Sequence, residues 1–190
     1  MTTTETPQNF VQEQPSGAKP AGDKLAGRVA FVTGGTRGIG AAISLSLASQ
    51  GAAVAAGYSG NDEAAGRFRE AFERDFPDQG FSVHKGDIGS AEDCRRTVRE
   101  VIEQRGRLDI LVNNAGITAD RGVLRMTDDD WQRVMDVNLS GAFYLSQEAL
   151  RHMLERGSGR IINISSVIGE MGNIGQVNYA AAKSGMFGLT

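Results

Sequence analysis

Cysteine is nearly absent from this 190-residue sequence: Cys94 stands alone, so no internal disulfide can form. It lies among Glu92, Asp93, Arg95 and Arg96 in a helical pattern and reads as a structural thiol. Such a chain suits a reducing, cytoplasmic compartment. Histidine is almost as scarce, and neither His84 nor His152 has a second ligand at metal-binding spacing, so no metal site is expected. No apolar run approaches the roughly 20 residues that cross a bilayer. The first two dozen residues lack the apolar centre of a signal peptide. A net charge of −3 gives no electrostatic reason to expect nucleic acid or an anionic membrane as partner. There is no internal repeat and no sign of a second domain.

What is present is a chain long enough to bury a core, with 40% apolar residues. Residues 1–24 are set apart from it. Met1 to Asp23 are rich in Thr, Gln, Pro and Gly, with Phe10 and Val11 as the sizeable apolar residues after Met1. That segment cannot bury enough surface to offset its ordering entropy, and a disordered tail is expected. From Leu25 to Thr190 strands and helices alternate. Strands are predicted over Arg28 to Thr33, Ala53 to Gly57, Phe81 to Lys85, Leu108 to Val112 and Arg160 to Ser165. Helices are predicted over Gly38 to Gln50, Glu63 to Asp75, Ala91 to Arg105, from Asp128, over Leu139 to Arg156, and from Tyr179 onward.

Thr127 can cap the helix at Asp128, so the Asp128 to Asp130 run reads as a helix start and not as a metal site. Trp131, Val134 and Met135 then follow helical spacing as core residues. His84, in a predicted strand, reads as structural. Repeated β–α units predict an α/β fold, a doubly wound parallel sheet of the Rossmann type. In such sheets ligands bind beyond the carboxyl ends of the strands, and the chemically interesting residues all fall there.

Thr33-Gly34-Gly35-Thr36-Arg37-Gly38-Ile39-Gly40 follows the first strand and opens the first helix. Gly34 lets the chain turn sharply. Gly38 and Gly40 let backbone approach a pyrophosphate, and the helix N-terminus offers N–H groups and a positive dipole to it. The G-x-x-x-G-x-G spacing differs from the more familiar G-x-G-x-x-G. The second strand ends Gly57-Tyr58-Ser59-Gly60, with no acid before Asp62 to hold a ribose 2′-hydroxyl. Arg37 offers a fork for a 2′-phosphate instead. Both features point to NADPH.

Ser165-Ser166 end the fifth strand, Tyr179 follows thirteen residues after Ser166, and Lys183 four after Tyr179. Residues four apart share a helix face, so phenol and ammonium can enter one site. A nearby cation favours the phenolate and poises Tyr179 to give a proton to a developing alkoxide. Ser166 can hydrogen-bond a substrate carbonyl, and a helix break at Val137-Asn138-Leu139 places Asn138.

TGGTRGIG (Thr33 to Gly40), NNAG (Asn113 to Gly116), Asn138, Ser166 and YAAAK (Tyr179 to Lys183) together resemble the classical short-chain dehydrogenase/reductase family, from about Leu25 to the end of the chain. The resemblance implies Tyr179 as acid/base, Ser166 as carbonyl orienter, Lys183 on the nicotinamide ribose, and Asn138 holding a water in a proton relay. It implies cofactor contacts at Gly34, Thr36, Arg37, Gly38, Ile39, Gly40, Ser59, Asp87, Ile88, Asn114, Ala115 and Gly116, with Asp87 at the adenine. It makes the helix of His152 a site of subunit contact and implies a homotetramer for a complete member. Gln176 and Asn173, and less strongly Met171, are candidates for the substrate mouth.

Within the family the likeness is greatest to bacterial acetoacetyl-CoA and 3-oxoacyl-acyl-carrier-protein reductases, through YSGNDEAA (Tyr58 to Ala65), NNAGIT with Asp120-Arg121 following, and RIINISS with GQVNYAAAK. YSGNDEAA leans toward the CoA enzymes. Carrier-protein reductases often carry a basic docking residue at the position of Gly157; here the nearest base is Arg156. The implied substrate is a 3-oxoacyl thioester on CoA or carrier protein, reduced to the (R)-3-hydroxyacyl product. A reductase of another ketone and a non-catalytic NADP-binding module are the alternatives. Family members usually run longer than this chain, so the domain at 25–190 is expected to be C-terminally incomplete.

Overall fold

The structure is a computed structural model that describes residues 22–190. Most of the expected N-terminal tail therefore lies outside the described residues. The elements follow in the order β1 (Val29–Val32), α1 (Gly38–Ala48), β2 (Ala53–Tyr58), α2 (Asp62–Asp75), β3 (Phe81–Lys85), α3 (Ala91–Arg105), β4 (Ile110–Asn113), α4 (Asp128–Met135), α5 (Gly141–Glu155), β5 (Arg160–Asn163), α6 (Ile168–Met171) and α7 (Val177–Leu189).

All five strands are parallel, in the order β3-β2-β1-β4-β5. Val29 pairs with Ala53 on one side of β1, and Ala30 with Ile110 on the other. β1 is buried along its whole length, and successive side chains serve opposite faces. Val29 and Phe31 join Cys94, Val98 and Val101 of α3 and Leu145, Ala149 and Met153 of α5. Ala30 and Val32 pack with Ile43 and Leu47 of α1. Phe72 of α2 stacks on Phe81 at 4.1 Å beside Val54. Helices thus cover both faces, as a doubly wound sheet requires. The strand order reverses between β1 and β4, which opens a crevice at their carboxyl ends.

Local chemistry fixes the helix ends. Ser90 accepts the Asp93 N–H at the start of α3, and Gly106 closes that helix in the left-handed region at φ 71°. Thr127 and Asp130 form a reciprocal capping box that starts α4. Besides strand bounds, such as β5 ending at Asn163 and not Ser165, two expectations need correction. The break at Asn138 is a wide π turn, Asp136–Ser140, which lets α4 run on into α5 without interruption. Trp131 is not core: it is 38% exposed, because the first turn of α4 projects into solvent and Val134 is the buried residue of that helix. Met135 is half-buried.

The opposite end of the sheet is tied by Asp109, 4% exposed. Its carboxylate accepts the Val29 N–H at 2.9 Å, Arg28 at 3.1 Å, and a fork from Arg107 at 2.7 and 2.6 Å. Burial works to raise its pKa, but Arg107, the Val29 N–H and Arg28 together hold it below the usual carboxylate range. Asp109→Ala should destabilise the fold by about 2–3 kcal/mol, a value moderated because both arginines are partly exposed. Denaturant titration measures this. The lowered folded pKa means that the stabilisation is present above the unfolded-state value of about 3.9 and is lost as pH falls through the folded value. An Asp109→Ala protein whose stability matches the wild type at pH 7 would contradict this account.

Candidate active site

The turn after β1 is built by close backbone approach. A Cβ on Gly40 would lie 2.0 Å from the Gly34 carbonyl oxygen and 2.6 Å from Asn114 Nδ2. Gly34 and Gly38 sit in the left-handed region, at φ 62° and 53°. The N-termini of α2, α3 and α4 are each capped by a side chain (Asn61, Ser90, Thr127) and carry acids in the first turn. α1 has neither a side-chain cap nor an acid, so its first-turn N–H groups and dipole remain available to an anion. Arg37 stands at that cap with its side chain exposed, and Ile39 beside it is 69% exposed. Thr36 is half-buried in the turn.

Across the crevice, Asn114 and Ala115 both donate their N–H groups to Thr33 Oγ1, at 3.0 Å each. Asn114 Nδ2 donates to the Thr33 carbonyl at 2.8 Å. Gly116 faces the tetrad: a Cβ there would lie 3.3 Å from Asn138 Oδ1 and 3.8 Å from Lys183 Nζ.

At the end of β2, Ser59 is exposed. The nearest acid, Asp62, is already engaged by Lys85 at 2.8 Å. Hydrogen bonds from Lys85 and then Tyr58 hold the Asp62 carboxyl below its usual range. Asp87 and Ile88 follow β3. Asp87 is exposed, with Oδ1 accepting the Gly89 N–H at 2.9 Å.

The four predicted catalytic residues converge at the same end of the sheet. Asn138, 1% exposed, turns inward from the π turn and clamps Ile117: its Oδ1 accepts the Ile117 N–H and its Nδ2 donates to the Ile117 carbonyl, both at 2.8 Å. Lys183, 4% exposed, donates to the Ile164 carbonyl at 2.6 Å, and its Nζ lies 5.8 Å from the Tyr179 ring centroid. Burial pulls the Lys183 pKa down. Ser166 Oγ accepts the Ile168 N–H at 3.2 Å, which leaves its hydroxyl hydrogen free to donate. The chemistry available is hydrogen-bond donation to an oxygen by Ser166 and Tyr179 beside a buried cation.

Asn173 and Gln176 are tied to each other at 2.8 Å, and Gln176 donates to Asp120 at 3.0 Å, so they join two loops at the rim. Met171 is 77% exposed beside them. His84 is buried between Ser82 and Glu100, and burial lowers its pKa against the opposing pull of Glu100. His152 Nε2 accepts the Leu108 N–H at 3.3 Å. The Cys94 thiol is buried, donates to the Ile88 carbonyl at 3.2 Å, and has its pKa pushed up to about 12 by burial. Among the described residues no group of three or more His, Cys, Asp and Glu is placed to hold a metal ion. No described helix is long and apolar enough to cross a membrane. An apolar groove of about 560 Å³ between α5, β5 and the end of α7 is lined by none of the predicted site residues.

Sequence reasoning passed over several supporting residues. Asn178, fully buried, donates to the Ala119 and Asp130 carbonyls and accepts the Tyr179 N–H at 2.8 Å, which fixes the start of α7. Ser165 donates to the Lys183 carbonyl at 2.7 Å. Gly169 lets α6 meet α7, since a Cβ there would lie 2.7 Å from the Lys183 carbonyl carbon. An Asn immediately before the tyrosine was the available signal; the others act through backbone groups that carry no sequence mark.

Comparison with known proteins places this geometry. The family model described as short chain dehydrogenase matches residues 28–190. The chain is 47% identical over 163 residues to an acetoacetyl-CoA reductase of Shinella zoogloeoides, covering 86% of this chain and 65% of that protein. It is 45% identical over 161 residues to a 3-oxoacyl-acyl-carrier-protein reductase of Staphylococcus aureus, again covering 65% of the relative. A crystal structure of a proposed short-chain alcohol dehydrogenase from Sinorhizobium meliloti 1021 superimposes with TM-score 0.82 at 36% identity, over 87% of this chain and 65% of that one. The chain therefore spans about 65% of the length of the relatives it matches.

The close approach at Gly40 gives a direct check. Gly40→Ala must push α1 away from the Gly34 turn, and should cost about 3 kcal/mol as overpacking. Gly60→Ala, where a Cβ meets open space, is the control and should cost far less. Equal stability of the two variants in denaturant titration would refute the packing argument.

Proposed function

Because this chain belongs to the short-chain dehydrogenase family, we propose that it is part of an NADPH-dependent oxidoreductase that reduces a 3-oxoacyl thioester, on CoA or carrier protein, to the (R)-3-hydroxyacyl thioester. The observation that carries the reading is the meeting of two features at one end of the sheet. One is an uncapped, acid-free helix N-terminus opened by Gly34 and Gly40. The other is a buried Lys183 beside Tyr179, with the Ser166 hydroxyl hydrogen free. The named relatives favour the thioester substrate.

The residues present fit the cofactor. Gly34, Thr36, Gly38, Ile39 and Gly40 would hold the pyrophosphate, whose charge the α1 dipole favours. The engaged state of Asp62 leaves no free acid at the end of β2 to meet a ribose 2′-hydroxyl, while Arg37 and Ser59 suit a 2′-phosphate. Asp87 and Ile88 would meet the adenine, and Asn114, Ala115 and Gly116 would line the crevice. When bound, the nicotinamide supplies the hydride.

The chain supplies the proton and the orientation. Ser166 would donate to the ketone oxygen and so orient the carbonyl. Tyr179 gives its proton to that oxygen as negative charge develops. Lys183 stabilises the phenolate left behind and would hold the nicotinamide ribose. Asn138, fixed by Ile117, would hold a water that returns a proton through Lys183. Asn173 and Gln176 sit at the rim where the thioester arm would pass.

Following NADPH oxidation with acetoacetyl-CoA tests the assignment. Tyr179→Phe should lower kcat by about 10²–10⁴-fold while NADPH still binds. Turnover that survives this change would remove Tyr179 from the mechanism. Binding without any wild-type turnover would favour a non-catalytic NADP-binding module, and faster turnover of unrelated ketones would move the substrate class. Arg37→Ala should weaken NADPH about tenfold and leave NADH unchanged, since only one of the two carries the 2′-phosphate. Equal weakening of both would deny Arg37 that contact.

A further inference from the structure

The short segment between β3 and α3 is gripped from one side by a single arginine. Arg96 Nη2 donates to the Lys85 carbonyl at 2.9 Å and to Asp93 Oδ1 at 2.8 Å. The other oxygen of Asp93 accepts the Asp87 N–H at 2.8 Å. Arg96 Nη1 donates to Glu100 at 2.6 Å, and the far oxygen of Glu100 lies 3.3 Å from Nδ1 of the buried His84. The guanidinium therefore joins the last residue of β3, the carboxylate that holds Asp87, and a histidine anchored inside the sheet.

Other grips on the segment come from backbone, from a buried thiol and from its own Asp87, whose Oδ1 accepts the Gly89 N–H at 2.9 Å. The Gly86 N–H donates to the Tyr58 carbonyl at 2.9 Å, and Cys94 Sγ to the Ile88 carbonyl at 3.2 Å. Gly86 lies flush against α3: a Cβ there would stand 2.8 Å from Thr97 Cγ2 and 3.5 Å from Arg96 Nη2. The hydrogen bond from Arg96, followed by that from the Asp87 N–H, keeps the Asp93 carboxyl below its usual range, so the carboxylate stays charged to hold both.

We propose that Arg96 is a positioning residue for the adenine end of the cofactor: through Asp93 and the Lys85 carbonyl it holds Asp87 and Ile88 in their binding conformation before the ligand arrives. The proposal rests on the reading of Asp87 as an adenine contact. Arg96 lies behind the segment and touches no cofactor atom itself. Its effect is preorganisation, because a contact already ordered in the free protein costs no ordering entropy on binding.

The test is calorimetric titration of wild type, Arg96→Met and Arg96→Lys with NADPH, NADH and adenosine 2′,5′-bisphosphate. Amide hydrogen exchange is read alongside at Asp87. Arg96→Met should weaken all three ligands by a common factor of about tenfold, since all share the adenine, and should speed exchange at Asp87. Arg96→Lys, which can reach one acceptor in place of three, should recover part of the loss. Arg37→Ala, by contrast, should weaken the two 2′-phosphorylated ligands and spare NADH. Wild-type affinity and wild-type exchange in Arg96→Met overturn the proposal. If that variant does not fold, the same result in Arg96→Lys overturns it. A wild-type chain that binds none of the three ligands sinks the cofactor reading, and this proposal with it. Normal wild-type binding with an inert Arg96 sinks the positioning role alone.

Discussion

One hydroxyl group holds the crevice of this sheet together. Thr33, 1% exposed at the end of β1, donates to the Val112 carbonyl of β4 at 3.3 Å and accepts the N–H groups of Asn114 and Ala115. The topology creates the need for it. β1 and β4 are neighbours, yet their chains leave the sheet in opposite directions, and the backbone groups at the divergence lose their ladder partners. A buried N–H without a partner costs about 1–3 kcal/mol; an apolar residue of the same shape would orphan that of Ala115 and leave that of Asn114 with the Val112 carbonyl alone, at 3.1 Å. Thr33 meets both with one oxygen. Asn114 returns a bond to the Thr33 carbonyl, and the two turns become one rigid wall.

The proposed catalytic groups are built outward from that wall. Gly116 ends the turn against Asn138 and Lys183. Asn138 reaches inward because the π turn rotates it off the helix surface while the helix itself continues. The same helix then presents Gly141, where a Cβ would stand 2.4 Å from the Ile88 carbonyl oxygen, and Ser146, which accepts from Asn113 at 3.0 Å. One continuous helix thus supports the segment after β3, the root of the crevice and the tetrad. Each tetrad member that binds a backbone group does so within residues 117–168.

Signals written locally were legible in the sequence. β3 and α3 have the bounds that periodicity predicts, because the caps at Ser90 and Gly106 are short-range chemistry. The parallel doubly wound sheet followed from alternating units. What escaped depends on distant parts of the chain. β4 starts at Ile110 and not Leu108, since Asp109 is recruited by Arg28 and Val29 some eighty residues away. Helical spacing placed Trp131 on the face of Val134 but could not tell that the first turn of α4 projects beyond its neighbours. The proposed site residues were readable through glycine spacing and the Tyr179/Lys183 interval. The roles of Thr33 and Arg96 were not, because each acts on a backbone group and any polar residue in a loop or helix looks the same in sequence; Asn178 carried only the mark of standing before Tyr179.

The proposed preference for NADPH rests on how the charges at the carboxyl ends of β2 and β3 are paired more than on their number. The bases there or at the facing turn include Arg37, Lys85 and Arg96, with Arg69 of α2 also near Tyr58. Lys85 is committed to Asp62, and Arg96 to Asp93 and Glu100. Arg37 has no acidic partner among the described residues, and its side chain is exposed beside the N-terminus of α1. Of Arg37, Lys85 and Arg96, a phosphate approaching this end would meet two whose charge is already balanced by neighbours less than 3 Å away, and Arg37, whose charge is not. The same pairing that occupies Lys85 also occupies Asp62, the acid best placed to prefer an unphosphorylated ribose. On the proposed reading, that one ion pair occupies the acid that would accept a ribose 2′-hydroxyl and leaves Arg37 as the base without an acidic partner among the described residues.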